Sequence, residues 1–215
     1  MKPISLFVLG VMAVAMSASA QAQTTDPIAK QTTDPIAKAL LAAPNEAMAK
    51  DATVIKWNSD FTYETLKKGT NRMVCYDLSG WPGERGAWSA ECTSSEANLP
   101  RVAQNRKLAA MGGGDMKKIE ELVVAAGKDG TRVMSEVGSI WFNVFGKSEA
   151  IAIRHWFIAM PGFSGNQVGL PEVRDAGGAW LMLAGTPEAH IMMPTGPLGT
   201  GPAGNFGPAD VIQRR

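Results

Sequence analysis

The sequence predicts an α+β fold: an antiparallel sheet stapled by one disulfide, with an N-terminal helix and a helical pair inserted after a hairpin. Three observations predict it. Both cysteines of the 215-residue chain, Cys75 and Cys92, flank a turn-rich stretch. Two segments with helical apolar spacing follow, on either side of Gly112-Gly113-Gly114. Short β-branched and aromatic runs lie before and after that pair.

The first 22 residues have the pattern of an export signal. Lys2 supplies the positive start, Ile4 to Met16 an apolar run of 13 residues, and Ala18-Ser19-Ala20 and Ala20-Gln21-Ala22 two overlapping cleavage sites. That run is too short for a comfortable membrane span, and no later stretch is long and apolar enough for one. The mature chain is therefore expected to be secreted or periplasmic, with no membrane span, where a disulfide persists. Without the signal, 193 residues remain with 20 basic and 20 acidic side chains. A net charge of zero gives no pull towards nucleic acid or anionic lipid. The length suits one domain, placed at residues 34–193.

Residues 24–38 hold the segment TTDPIAK twice, which reads as a local duplication within a mobile stretch over 23–33. Two copies of seven residues are too few for a solenoid. The second copy runs into a helix capped by Thr33 or Asp34, with Pro35 in its first turn. Pro44 interrupts it, and Asn45 caps a further turn or two through Lys50. Thr53 to Trp57 and Phe61 to Lys67 read as strands, and Lys68-Gly69 as a turn into the strand of Cys75. A small antiparallel meander is expected there.

Asn71 to Asp77 and Ala87 to Cys92 form the hairpin, with Ser79-Gly80-Trp81-Pro82-Gly83 reversing the chain. The two cysteines then face each other near its base, and a bridge is worth about 3 kcal/mol for a loop of this size. The rival, a catalytic thiolate, is disfavoured in an exported chain with two cysteines. Arg101 to Met111 reads as a helix after Pro100, and Asp115 caps a second over Met116 to Ala126. The triple glycine lacks the Gly-Lys-Ser/Thr ending of a phosphate loop. Neutral charge and export speak against a DNA-reading helix pair. Gly138 to Gly146 is apolar on both faces, as a central strand is, and Ala150 to Met160 is a further strand. A Gly/Pro-rich loop over Pro161 to Gly178 precedes two short strands, Ala179 to Ala184 and His190 to Met193. Residues 194–215 read as a disordered Gly/Pro-rich tail.

Gly69-Thr70-Asn71 ahead of Cys75, the aromatic strand at Ile140-Trp141-Phe142 and the late His190-x-Met192 followed by Pro194 form a spread pattern. In this the chain resembles a group of uncharacterised secreted bacterial proteins with a Gly-Thr-Asn-x-x-x-Cys element and a terminal His-x-Met strand. The similarity covers roughly residues 53–194. The chain departs from the group between the cysteines, where Trp81-Pro82-Gly83-Glu84-Arg85 replaces an Asn-Asp-Pro-like segment. The resemblance implies an architecture and no activity.

Chemistry has few carriers. Of the two histidines, His155 shares a strand face with Ile151, Ile153 and Phe157, the setting of a core histidine. His190 opens the last strand, with Glu188 placed to orient its imidazole. With Met192, Met193, Met182 or Met160 it has the ligand types for Cu(I). There is no Met-x-x-Met run, and methionine fills cores as readily, so no metal and no cofactor is expected. Ser164 lies in Gly162-Phe163-Ser164-Gly165, which is not a nucleophile elbow. Asp77, Glu84 and Glu91 share one hairpin without defining a glycosidase pair. Trp81 and Trp88 sit in or beside the turn-rich loop, where exposed indoles contact sugars or proteins; packed back on the sheet, Trp88 is core instead. Glu84 and Arg85 are polar neighbours. The expectation is a non-catalytic exported module that binds a small molecule or a protein partner through Trp81, Glu84, Arg85, Trp88 and His190. The alternatives are an exported hydrolase or metal-dependent enzyme using His190 or His155, and a structural envelope protein.

Overall fold

The computed structural model describes residues 33–81, 88–174 and 178–193. The expected export signal, the segment over 23–32, Glu84, Arg85 and the Gly/Pro-rich tail lie outside the described residues.

Most of the described helices begin where a short polar side chain caps them. Asp34 accepts from the Ile36 amide at 2.9 Å and starts α1 (Pro35–Leu40), where a first-turn proline sacrifices no hydrogen bond. Asn45 accepts from the Met48 amide at 2.9 Å and starts α2 (Glu46–Asp51). After the hairpin come α3 (Leu99–Met111) and α4 (Met116–Lys128), the latter capped by Asp115 through the amides of Lys117 and Lys118. A one-turn helix, α5 (Gly165–Val168), lies in the Gly/Pro-rich loop.

Eight strands form one sheet: β1 (Thr53–Trp57), β2 (Tyr63–Lys67), β3 (Val74–Asp77), β4 (Trp88–Thr93), β5 (Ile140–Gly146), β6 (Ile153–Ala159), β7 (Trp180–Met182) and β8 (His190–Met192). Their order across the sheet is β2-β1-β3-β4-β5-β6-β8-β7. All pairings are antiparallel except that of β1 with β3.

That exception corrects the expected meander. β2 does not turn into a neighbouring β3; the chain crosses the start of β1 and joins its other side. The crossing is fixed by backbone contacts. The amides of Thr70 and Asn71 both donate to the Asp51 carbonyl, at 2.8 and 3.0 Å, and the Gly69 amide donates to Thr53 Oγ1 at 3.0 Å. Asn71 also donates to the Met48 carbonyl and accepts from the Met73 amide. A Cβ at position 69 would lie 2.3 Å from the Asp51 carbonyl oxygen, so only glycine fits there without displacement. The Gly-Thr-Asn element is thus a clasp that seats β1 between β2 and β3.

The sheet is covered on both faces. One face packs α1 and α2 against Val54, Cys75, Ala90, Cys92, Phe142 and Val144. The other packs α3, through Leu99 and Val102, against Ile55, Val74, Tyr76 and Trp141. This is why β5 is apolar on both sides: Trp141 serves one layer and Phe142 the other. Cys75 and Cys92 lie directly opposite in the β3–β4 ladder and are joined by a disulfide, with Cα atoms 4.0 Å apart and both side chains fully buried.

Candidate functional site

The pairing of β1 with β3 covers only Thr53 opposite Val74 and Val54 opposite Cys75. At the same level a bulge breaks the β1–β2 register between Val54 and Ile55, leaving Leu66 without a partner residue. A bulge bends and twists its strand pair. Beyond it the two parallel strands part, and a cleft of about 240 Å³ opens at their ends. Ile55, Trp57, Leu66 and Pro35 give it apolar walls; Lys56, Asp77, Ser79 and Arg106 give it polar ones. The ends of parallel strands are where α/β sheets commonly hold ligands. Asp77 is itself anchored: it accepts from the Ser79 amide at 2.8 Å and pairs with Lys38 of α1 at 3.1 Å. Lys38 also donates to the Ser79 hydroxyl.

Arg106, on α3, reaches over the cleft. Its guanidinium carbon lies 5.6 Å from the centre of the Trp57 ring and 5.2 Å from that of Trp81, within cation–π range of both. Trp81 is carried there by a reverse turn, in which its amide donates to the Leu78 carbonyl at 3.1 Å and Gly80 takes a positive φ of 75°. Trp57 is held from its other sides by edge-on contacts to Tyr63 and Tyr76, at 5.4 and 5.9 Å. Burial lowers the Arg106 pKa, and the nearby Tyr76, Asp77 and Glu91 oppose that shift. Its Nη1, with the indole Nε1 of Trp57 and of Trp81, is buried without a hydrogen-bond partner among the described residues. Arg106 and the two indoles against it thus hold three donors unpaired among the described residues.

A row of polar side chains runs from this point across the same sheet face. Tyr76 is opposite Glu91, Glu91 opposite Asn143 and Asn143 opposite His155, on four consecutive strands. Strand spacing puts His155 about 10 Å from Glu91 across Asn143. The Tyr76 hydroxyl donates to the Glu91 carboxylate, and burial, followed by that carboxylate, raises the Tyr76 pKa well above the usual phenol value. Asn143 Nδ2 and Ser89 Oγ are buried and unpartnered among the described residues.

The residues expected to form one site separate. Trp81 lies against Arg106, which lines the cleft. Trp88 is 3 % exposed and packs in the core on the α1 side, where Lys38 lies over its ring at 5.9 Å, so it offers no surface for binding. His190 is four strands from β3, roughly 19 Å across the sheet, and its ring packs on Phe157 at 4.7 Å. Glu188 meets that ring through its backbone carbonyl. The Glu188 carboxylate instead bridges Arg132 at 2.6 Å and Arg101 at 3.3 Å, two buried guanidinium groups that need a counter-charge more than an imidazole does. The Glu188 backbone carbonyl takes His190 Nδ1, at 2.6 Å. Met182 stands opposite His190 in the ladder, but among the described residues no three His, Cys, Asp or Glu side chains gather as metal ligands. Ser164 is a helix cap, its hydroxyl donating to Gln167.

Reading the sequence missed Trp57 and Arg106. Trp57 reads as a packing residue in a strand, and Arg106 falls on a helix noticed for its apolar side. Neither carries a motif; only the fold brings β1, the turn after β3 and α3 together. No family model matches the chain, and neither curated proteins nor solved structures give a significant match to it.

Proposed function

We propose that the chain is an exported, non-catalytic module that binds a small molecule in the cleft at the ends of β1 and β3. The observation that carries this reading is Arg106, held between the faces of Trp57 and Trp81 over a cavity of about 240 Å³ with a buried donor unpaired. Apolar walls with a few convergent polar groups are the usual make-up of a small-ligand pocket. At this volume the ligand is smaller than a drug-sized molecule. The sequence pattern of the first 22 residues and the buried disulfide support export. A thermal-shift screen of small metabolites, run on the wild type and on Trp81→Ala, tests the reading. Compounds that stabilise the wild type and lose their effect in the variant are expected. Stabilising compounds indifferent to Trp81 would move the site elsewhere.

The row from Tyr76 to His155 favours a second reading, an exported enzyme that uses His155. A carboxylate, an amide and an imidazole on neighbouring strands have the types needed for acid–base work. Under that reading His155→Gln abolishes a turnover that His190→Gln leaves intact.

A further inference from the structure

The chemistry of the cleft narrows the ligand, and this inference rests on the binding reading above. We infer that the ligand is a small monocarboxylate with a short apolar body. Among the described residues the unpartnered buried polar atoms of Arg106 and of the two indoles against it are all donors: Arg106 Nη1 and the indole nitrogens of Trp57 and Trp81. Arginine and tryptophan side chains can only donate, so the complement is an acceptor-rich group. Arg106 is half-buried and has no carboxylate within ion-pair distance among the described residues, whereas Arg101, Arg132 and Arg72 each have one. Asp77 and Glu91 act on it from beyond contact distance, so a partly desolvated guanidinium here still gains from an anion in direct contact. Its stacked faces leave the edge of the fork for the ligand, and that edge matches a carboxylate bidentately.

Two further features separate a carboxylate from a phosphate. Asp77 lines the same cleft and repels a second negative charge. Ile55, Leu66 and Pro35 form walls that a bare phosphate would leave uncovered and that a short hydrocarbon body would cover.

The test is titration calorimetry, with tryptophan fluorescence as a second readout, using hexanoate, hexan-1-ol and inorganic phosphate as probes. Hexanoate is expected to bind about tenfold or more tightly than either of the others, the scale of a charge-assisted hydrogen bond. Arg106→Gln should remove that advantage, bringing hexanoate down to the affinity of hexan-1-ol in the same variant. Asp77→Asn should tighten hexanoate, a comparison that stands even if Arg106→Gln folds poorly. Equal affinity for hexanoate and hexan-1-ol overturns the carboxylate assignment and leaves the small-molecule reading intact. Phosphate binding more tightly than hexanoate overturns it in favour of a phosphate. No binding of any probe, by heat or by fluorescence, overturns both.

Discussion

Glu188→Ala is the substitution whose cost the structure defines best. Glu188 Oε1 is shared by Arg132 Nε at 2.6 Å and Arg101 Nη2 at 3.3 Å, with side-chain exposures of 4 % and 9 % for the two arginines. Truncation leaves both guanidinium groups buried without a counter-charge, and breaking such a pair costs about 3–5 kcal/mol. Neutral acceptors remain: the Val133 carbonyl for Arg101, and Gln104 and Asn105 for Arg132. These hold the loss near the lower limit, about 3 kcal/mol. Arg101 already shows the strain of its position, since burial, then the neighbouring Arg132, pulls its pKa down to about 10 against the opposing pull of Glu188. The assay is denaturant unfolding followed by circular dichroism, with a thermal melt alongside. A drop in Tm on the order of 10 °C corresponds to that loss for a domain of this size. Glu188→Gln, which keeps an acceptor and removes the charge, should lose about half as much. A loss below about 1 kcal/mol for Glu188→Ala would show that the two arginines are solvated and that the bridge does not hold α3 to the strand preceding residues.

Three other changes follow from the same reasoning. Gly69→Ala should destabilise by about 3 kcal/mol, the upper part of the range for overpacking, because its Cβ meets backbone rather than a movable side chain; Gly178→Ala, where a Cβ meets nothing within 4 Å, should be neutral in the same unfolding assay. Denatured, unreduced protein should show no free thiol, and the double change Cys75→Ser, Cys92→Ser should cost about 3 kcal/mol of stability. Tyr76 has its pKa raised in the folded chain, so the stability it contributes is fully present below the free phenol value and is lost as pH rises towards the folded value. Followed by phenolate absorbance, Tyr76 should ionise only as the fold gives way, and Tyr76→Phe should flatten the alkaline loss of stability.

What could be read from the sequence was local. Asp34, Asn45 and Asp115 cap helices because a short acceptor precedes apolar residues at helical spacing, and that signal needs no tertiary information. The hairpin that brings Cys75 to face Cys92 followed from the turn-rich stretch between them. The seating of β1 did not, because it depends on Thr70 and Asn71 meeting the carbonyls of Asp51 and Met48, a contact between distant segments that hydrophobic periodicity does not encode. Glu188 illustrates the same gap: its proximity in sequence to His190 suggested a partner, whereas its charge is taken by arginines on α3 and in the segment after α4. The candidate site was half-legible. Trp81 stood out as an indole in a loop; Arg106 and Trp57 did not, since an arginine on a helix and a tryptophan in a strand are ordinary until the fold stacks them.

The most direct measurement is native mass spectrometry of the protein taken from its own source, alongside Arg106→Gln prepared in the same way. Ligand binding through Arg106 requires a reproducible extra mass on the wild type, that of a small organic acid, and a bare chain for the variant. An extra mass retained in full by Arg106→Gln, or a bare wild type under conditions that preserve weak complexes, would contradict it.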